Sequence, residues 1–269
     1  MMKSVIVAVI AISAPLGAQW LNYPTAGVPK TAAGKPNLSA PAPKTADGKP
    51  DLSGIWRADR RAGPNPCPFN NCQDARGTDR WLDFGAGLPG GAPYQPWAAA
   101  VKKQRMDQDD KDDPTSACLP LGVPRLLVSP ELIKIVQTPG LVVILNERNA
   151  SYRQIFTDGR PLPEDMQPSW NGYSTGRWEG DTLVVETRGF RDGMWLDRYG
   201  SPMTDAAKVT ERFRRTNYGN LAIDVTMDDP KAYTRPWTVK VNEVIMLNTE
   251  LMDYICAENE KDIKHMVGK

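Results

Sequence analysis

At 269 residues the chain is long enough for one large β domain with appendages, or for two small domains. Its 33 basic and 32 acidic side chains leave a net charge of +1. That balance exerts no bulk pull on nucleic acid or anionic lipid, and neither is expected as a partner.

The first residues read as an export signal. Lys3 supplies a positive start, Val5 to Leu16 an apolar run interrupted by Pro15, and Leu16-Gly17-Ala18 a small-residue cleavage site. The run is too short to span a bilayer, and no later segment is apolar enough to do so. The sequence therefore predicts a signal peptide over 1–18, cleaved near Ala18, and a periplasmic or secreted mature protein without a membrane span. In that oxidising compartment the even cysteine count favours two disulfides over a metal site. Cys67 and Cys72 enclose a short loop, a natural staple, which would leave Cys118 with Cys256. The spacing itself leaves all three pairings open. No C-x-x-C pair with a nearby histidine suggests zinc, so no metal is expected.

Residues 19–50 read as a flexible leader rich in Pro, Ala, Lys and Gly, too poor in apolar surface to offset the entropy of ordering. They contain an echo, Thr31-Ala32-Ala33-Gly34-Lys35-Pro36-Asn37-Leu38-Ser39 against Thr45-Ala46-Asp47-Gly48-Lys49-Pro50-Asp51-Leu52-Ser53. Residues 51–269 read as a single β domain. Leu52 to Trp56 is its first strand, with Trp56 placed to plug one end. An irregular insertion over 60–115 follows. It holds a helix near 94–106, where Pro96 suits the first turn. The acidic run Asp107 to Asp113 lacks the Gly and Glu of a calcium loop and reads as solvated.

From Arg125 onward apolar and polar residues alternate in short runs separated by Gly- or Pro-containing turns. The runs are Leu132 to Val136, Leu141 to Asn146, Tyr152 to Phe156, the hairpin Gly176 to Thr187, Val209 to Arg215, Leu221 to Met227, Trp237 to Val241 and Val244 to Leu247. Glu250 to Asn259 leans to a last strand. Roughly eight to ten strands at hairpin spacing predict an antiparallel meander closed into a barrel. Glu211 shares the parity of Val209 and Phe213; a bulge turning it outward is the expectation, because an inward carboxylate needs a partner.

Chemistry is constrained by what is missing. The single histidine, His265, lies near the C-terminus, and no nucleophile elbow, P-loop or dinucleotide fingerprint is present. No cofactor is called for. What remains are loops rich in Trp, Tyr and Arg. Arg160, Trp170, Tyr173, Trp195, Arg198 and Tyr199 combine apolar area with polar handles and are the candidates for gripping a small-molecule ligand. Asp192, Asp197, Glu164 and Asp165 are the candidate acid/base carboxylates.

Three stretches resemble a large, largely uncharacterised family of exported bacterial proteins: Asp51 to Trp56, Trp170 to Asp181, and Thr204-Asp205 with Thr210 to Phe213. The likeness covers most of the mature chain, and the tail from Glu258 to Lys269 shares it. It implies an exported domain and carries no activity with it. Gly54-Ile55-Trp56 is also similar to the G-x-W start of lipocalins and other calycins, although the long insertion after Trp56 departs from their pattern. The expectation is a mainly β, calycin-like barrel that binds a small, partly apolar molecule. The alternative is an exported carboxylate-dependent enzyme, a hydrolase, lyase or isomerase, acting on a sugar or aromatic compound.

Overall fold

The structure is a computed structural model that describes residues 23–59, 83–85 and 88–258. The signal segment, Cys67, Cys72 and His265 lie outside the described residues. The strands are β1 (Gly54–Ala58), β2 (Ile133–Thr138), β3 (Leu141–Asn146), β4 (Ser151–Phe156), β5 (Tyr173–Glu179), β6 (Thr182–Arg188), β7 (Met194–Trp195), β8 (Pro202–Met203), β9 (Lys208–Asn217), β10 (Asn220–Asp228) and β11 (Trp237–Ile245). Helix α1 spans Pro96–Asp107, one or two residues from its expected bounds. No described helix is long and apolar enough to cross a membrane.

Nine strands close into a barrel in the order β1-β11-β10-β9-β6-β5-β4-β3-β2, while β7 and β8 form a small separate ribbon. The barrel follows from the period-2 patterning. On β10, Leu221, Ile223, Val225 and Met227 are buried and meet the buried Val209 and Phe213 of β9 and Trp237, Val239 and Val241 of β11. Each such side chain contributes about 1.5–3 kcal/mol through its transfer from water.

Four features differ from the sequence reading. The pairing of β4 with β5 is parallel, within an otherwise antiparallel barrel. Trp237 to Val241 and Val244 to Leu247, read as two strands, join in the single strand β11, which ends at Ile245, because Asn242 and Glu243 continue the ladder with β10. The described part of Glu250 to Asn259 forms no strand and makes one isolated bridge, Tyr254 with Arg148. The acidic run is not wholly solvated: Asp113 is buried and grips Arg125 through both oxygens at 2.9 and 2.6 Å. Burial opposes ionisation of Asp113, but Arg125 outweighs it and holds the carboxyl below its ordinary range.

The leader is also docked along its described part. The two echoed segments fold into matching turns, closed by Thr31 N to Lys35 O and by Thr45 N to Lys49 O, each 2.8 Å. Tyr218 N and Gly219 N donate to Ala40 O and Leu38 O at 2.8 and 2.9 Å. Arg215, inside the barrel, donates to Asp51 O and Ser53 O at 2.6 and 3.2 Å. Its guanidinium lies 4.9 Å over the fully buried Trp56 ring, whose indole N–H reaches Leu52 O at 3.0 Å. Trp56 thus plugs this end, with the leader lying across it.

At the opposite end α1 is stitched to the β10–β11 connection. Gln95 N donates to Ala232 O, Thr234 N to Pro93 O and Trp97 Nε1 to Lys231 O. Asp229 fixes that connection by accepting from Thr204 N and Oγ1 at 2.8 Å each. The segment Arg125–Val128 is wholly buried.

Candidate functional site

The parallel seam between β4 and β5 consists of two residue pairs, Ile155 with Ser174 and Phe156 with Thr175. A parallel pair cannot be closed by a tight hairpin. The connection over 157–172 instead loops out and returns, so the two strands part on the approach to the seam. Residues 151–154 and 169–173 line the resulting cleft, about 530 Å³ in volume. Asn171 Nδ2 bridges the gap to Tyr152 O at 2.9 Å, standing in for a missing ladder bond.

Two glycines allow this geometry. Gly172 has φ +63°, and a Cβ there would lie 2.6 Å from Arg188 O. Gly122 has φ +73°, and its Cβ would lie 2.6 Å from Trp170 O and 2.3 Å from Met194 Cε. Neither position accommodates a side chain without displacing backbone.

The deepest lining residues are Arg153 of β4 and Ser174 of β5, 2% and 1% exposed. They belong to a polar band that crosses four neighbouring strands inside the barrel. Arg153 donates from Nε to Ser174 Oγ (3.1 Å), from Nη1 to Glu211 Oε1 (2.9 Å), and from Nη2 to Thr187 Oγ1 (2.8 Å) and Glu211 Oε2. Ser174 and Thr187 hydroxyls also meet at 3.0 Å. Glu211 therefore points inward, contrary to the expected outward bulge, because Arg153 answers its charge and no register shift interrupts β9 there.

The cleft walls are aromatic. Phe156 and Tyr173 stack at 5.2 Å, Arg160 lies 4.0 Å over Phe156, and Arg191 lies 5.3 Å over Trp170. Tyr152 stands open at the rim, 63% exposed. Behind the rim, Asn149 donates to Cys118 O at 3.0 Å and accepts from Cys256 N at 3.3 Å. Cys118 and Cys256 are disulfide-bonded, so the bridge braces this wall.

The structure thus brings Arg160, Trp170 and Tyr173 to one place. Trp195 and Tyr199, each 4% exposed, sit elsewhere, in the buried excursion between β6 and β9. Arg105 lies over the Trp195 ring at 4.6 Å. Arg198, Asp192, Glu164 and Asp165 are exposed. Glu164 borders a shallow groove on the outer face of β5 and β6 with Arg177, Glu186 and Arg188.

Asp197 alone among the candidate carboxylates is buried, and it anchors a polar chain. It accepts from Tyr199 N, Ser201 N and Ser201 Oγ, the last at 2.6 Å. Ser201 Oγ meets Tyr94 OH at 2.8 Å, and Lys102 Nζ donates to Tyr94 OH and Asp83 Oδ2 at 3.1 Å each. Burial pushes the Asp197 carboxyl above its ordinary value against the pull of Lys102. Burial also opposes charge on Lys102, but Asp197, Tyr94 and Asp83 together outweigh it and hold the ammonium charged. The arrangement ties α1 to the excursion.

Sequence reasoning passed over Arg153, Ser174 and Thr187. The signal was available: Arg153 shares the parity of Ile155, as Glu211 does that of Phe213, which puts opposite charges on inward positions of two strands. Among the described residues no group of His, Cys, Asp and Glu side chains comes together that could hold a metal ion.

No family model matches the chain, and no curated protein matches it.

Proposed function

We propose that this is an exported barrel protein that binds a small molecule in the cleft between β4 and β5. The observation that carries the reading is the parted wall itself. Strand edges inside a closed barrel are normally paired, yet here they separate and the gap is lined by Trp170, Tyr173, Phe156 and Tyr152 above a polar floor. Aromatic side chains that keep a polar edge suit a ligand that is partly apolar. Export rests on the signal-like run from Lys3 to Ala18 and agrees with the Cys118–Cys256 disulfide.

The carboxylate-enzyme alternative has less support. Asp197 has the raised pKa that acid/base work requires, but it is fully buried and its oxygens are spent on Ser201 and Tyr199.

Native mass spectrometry of protein recovered from a bacterial periplasm tests the reading. A small molecule that is lost on denaturation, and lost from a Trp170→Ala variant in native conditions, is the expected result. A clean apo mass for the wild-type protein, with no ligand-dependent change in Trp170 fluorescence, would overturn it.

A further inference from the structure

Resting on the binding reading above, we infer that the cleft takes an uncharged, hydroxyl-rich ring, that is, a neutral saccharide. Arg153 is the one ionisable Arg, Lys, Asp or Glu side chain among the residues lining the cleft, and both of its terminal nitrogens are committed to Glu211. Arg160, beside Phe156, is paired with Asp158 at 2.6 Å. The floor is thus electrically closed, and an acidic or basic group reaching it would bury a charge without a partner, the remaining cation of the wall, Arg191 over Trp170, standing exposed above that floor.

The uncharged lining then selects among neutral molecules. Asn149, Gln154 and Asn171 supply amides, and Ser151, Ser169 and Ser174 supply hydroxyls. Amides and hydroxyls both donate and accept, which matches sugar hydroxyls; Asn149, Asn171, Ser151 and Ser174 also hold protein partners, so the Gln154 amide and the Ser169 hydroxyl are the groups freest to meet a ligand. The aromatic planes complete the fit. The C–H face of a pyranose ring carries slight positive charge and packs against the negative π face of Trp170 or Tyr173.

The test is a glycan array carrying neutral and uronic-acid glycans, run beside a panel of aromatic alcohols read by tryptophan fluorescence. Neutral glycans are expected to bind, with Trp170→Ala and Tyr173→Ala each weakening them about tenfold. Glu211→Gln should uncover the Arg153 charge and shift preference about tenfold toward uronic-acid glycans. Aromatic alcohols binding in a Trp170-dependent way while glycans do not would overturn the saccharide assignment and leave the cleft reading standing. Glycan binding indifferent to Trp170 and Tyr173 would overturn the assignment of saccharides to this cleft. Silence across both panels would overturn both. The wild-type panels decide the ligand class even if Glu211→Gln fails to fold.

Discussion

Arg153 of β4 and Glu211 of β9 meet inside the barrel, Nη1 to Oε1 at 2.9 Å, although β5 and β6 lie between their strands. Their side chains are 1% and 0% exposed. The contact spans the interior beneath the parted seam, and the strands it bridges supply Ser174 and Thr187 to fill the remaining donor positions. A pair this deep gains little net energy, because desolvation offsets most of the attraction. Its consequence is positional: it fixes where the cleft ends.

That balance makes an asymmetric prediction. Arg153→Ala or Glu211→Ala leaves one buried charge unanswered and should lower stability by about 3–5 kcal/mol. The double replacement Arg153→Met with Glu211→Leu should recover most of the loss, since neither charge then needs solvent. Urea midpoints of the three variants check this. A double variant as unstable as the sum of the singles would show no coupling between the two side chains and would overturn their mutual neutralisation.

Much of the barrel was legible because its strands announce which face is buried. Leu221, Ile223, Val225 and Met227 alternate with polar residues, and each is buried as the pattern requires. The cleft was not legible for two reasons. Its parallel seam depends on how the 157–172 connection returns, which no local propensity encodes. Its floor depends on Arg153 and Glu211, 58 residues apart in sequence, each resembling a misplaced surface charge when read alone. The leader was misread for a related reason. Its composition is poor in apolar groups, but its carbonyls at Leu38 and Ala40 are taken by Gly219 and Tyr218 of the distant β9–β10 turn. Asn242 and Glu243 broke the reading of β11 because a buried acid looks like a turn.

The echoed leader segments supply an internal control. Leu52 is 1% exposed at the plugged end, whereas Leu38, its counterpart in the first copy, is 40% exposed. Leu52→Ala should cost about 2–5 kcal/mol. Leu38→Ala should stay within about 0.5 kcal/mol of the wild-type protein. Equal effects in thermal melts would contradict the docking of the second copy alone into the core.

The Cys118–Cys256 bridge closes a span of 138 residues that contains β2 to β11. Cross-linking so long a loop restricts the unfolded chain, and replacing both cysteines by Ala should cost about 2–5 kcal/mol. Because Asn149 links both half-cystines to the cleft rim, protection of the Asn149 amide from hydrogen exchange should fall more than that of Val225 in β10. Uniform loss across both positions would confine the bridge to a global role.

The sharpest pH prediction concerns Glu243. It is 1% exposed on the inner face of β11, its Oε2 has no hydrogen-bond partner among the described residues, and burial together with Asp59 raises its carboxyl well above the ordinary value of 4.5. The folded chain therefore keeps this proton at pH values where the unfolded chain has released it. The contribution of Glu243 is complete below pH 4.5 and is lost as pH rises from there toward the raised folded value. Wild-type stability should decline through that window by as much as about 1.4 kcal/mol per pH unit from this group. Glu243→Gln, which cannot ionise, should remove that part of the slope. Urea unfolding of both proteins from pH 4 to 8 measures it, the difference between the two curves isolating Glu243 from every other titrating group. Parallel curves would mean that Glu243 ionises in the folded barrel as freely as in the unfolded chain, and that the inner face of β11 is wetter than its burial implies.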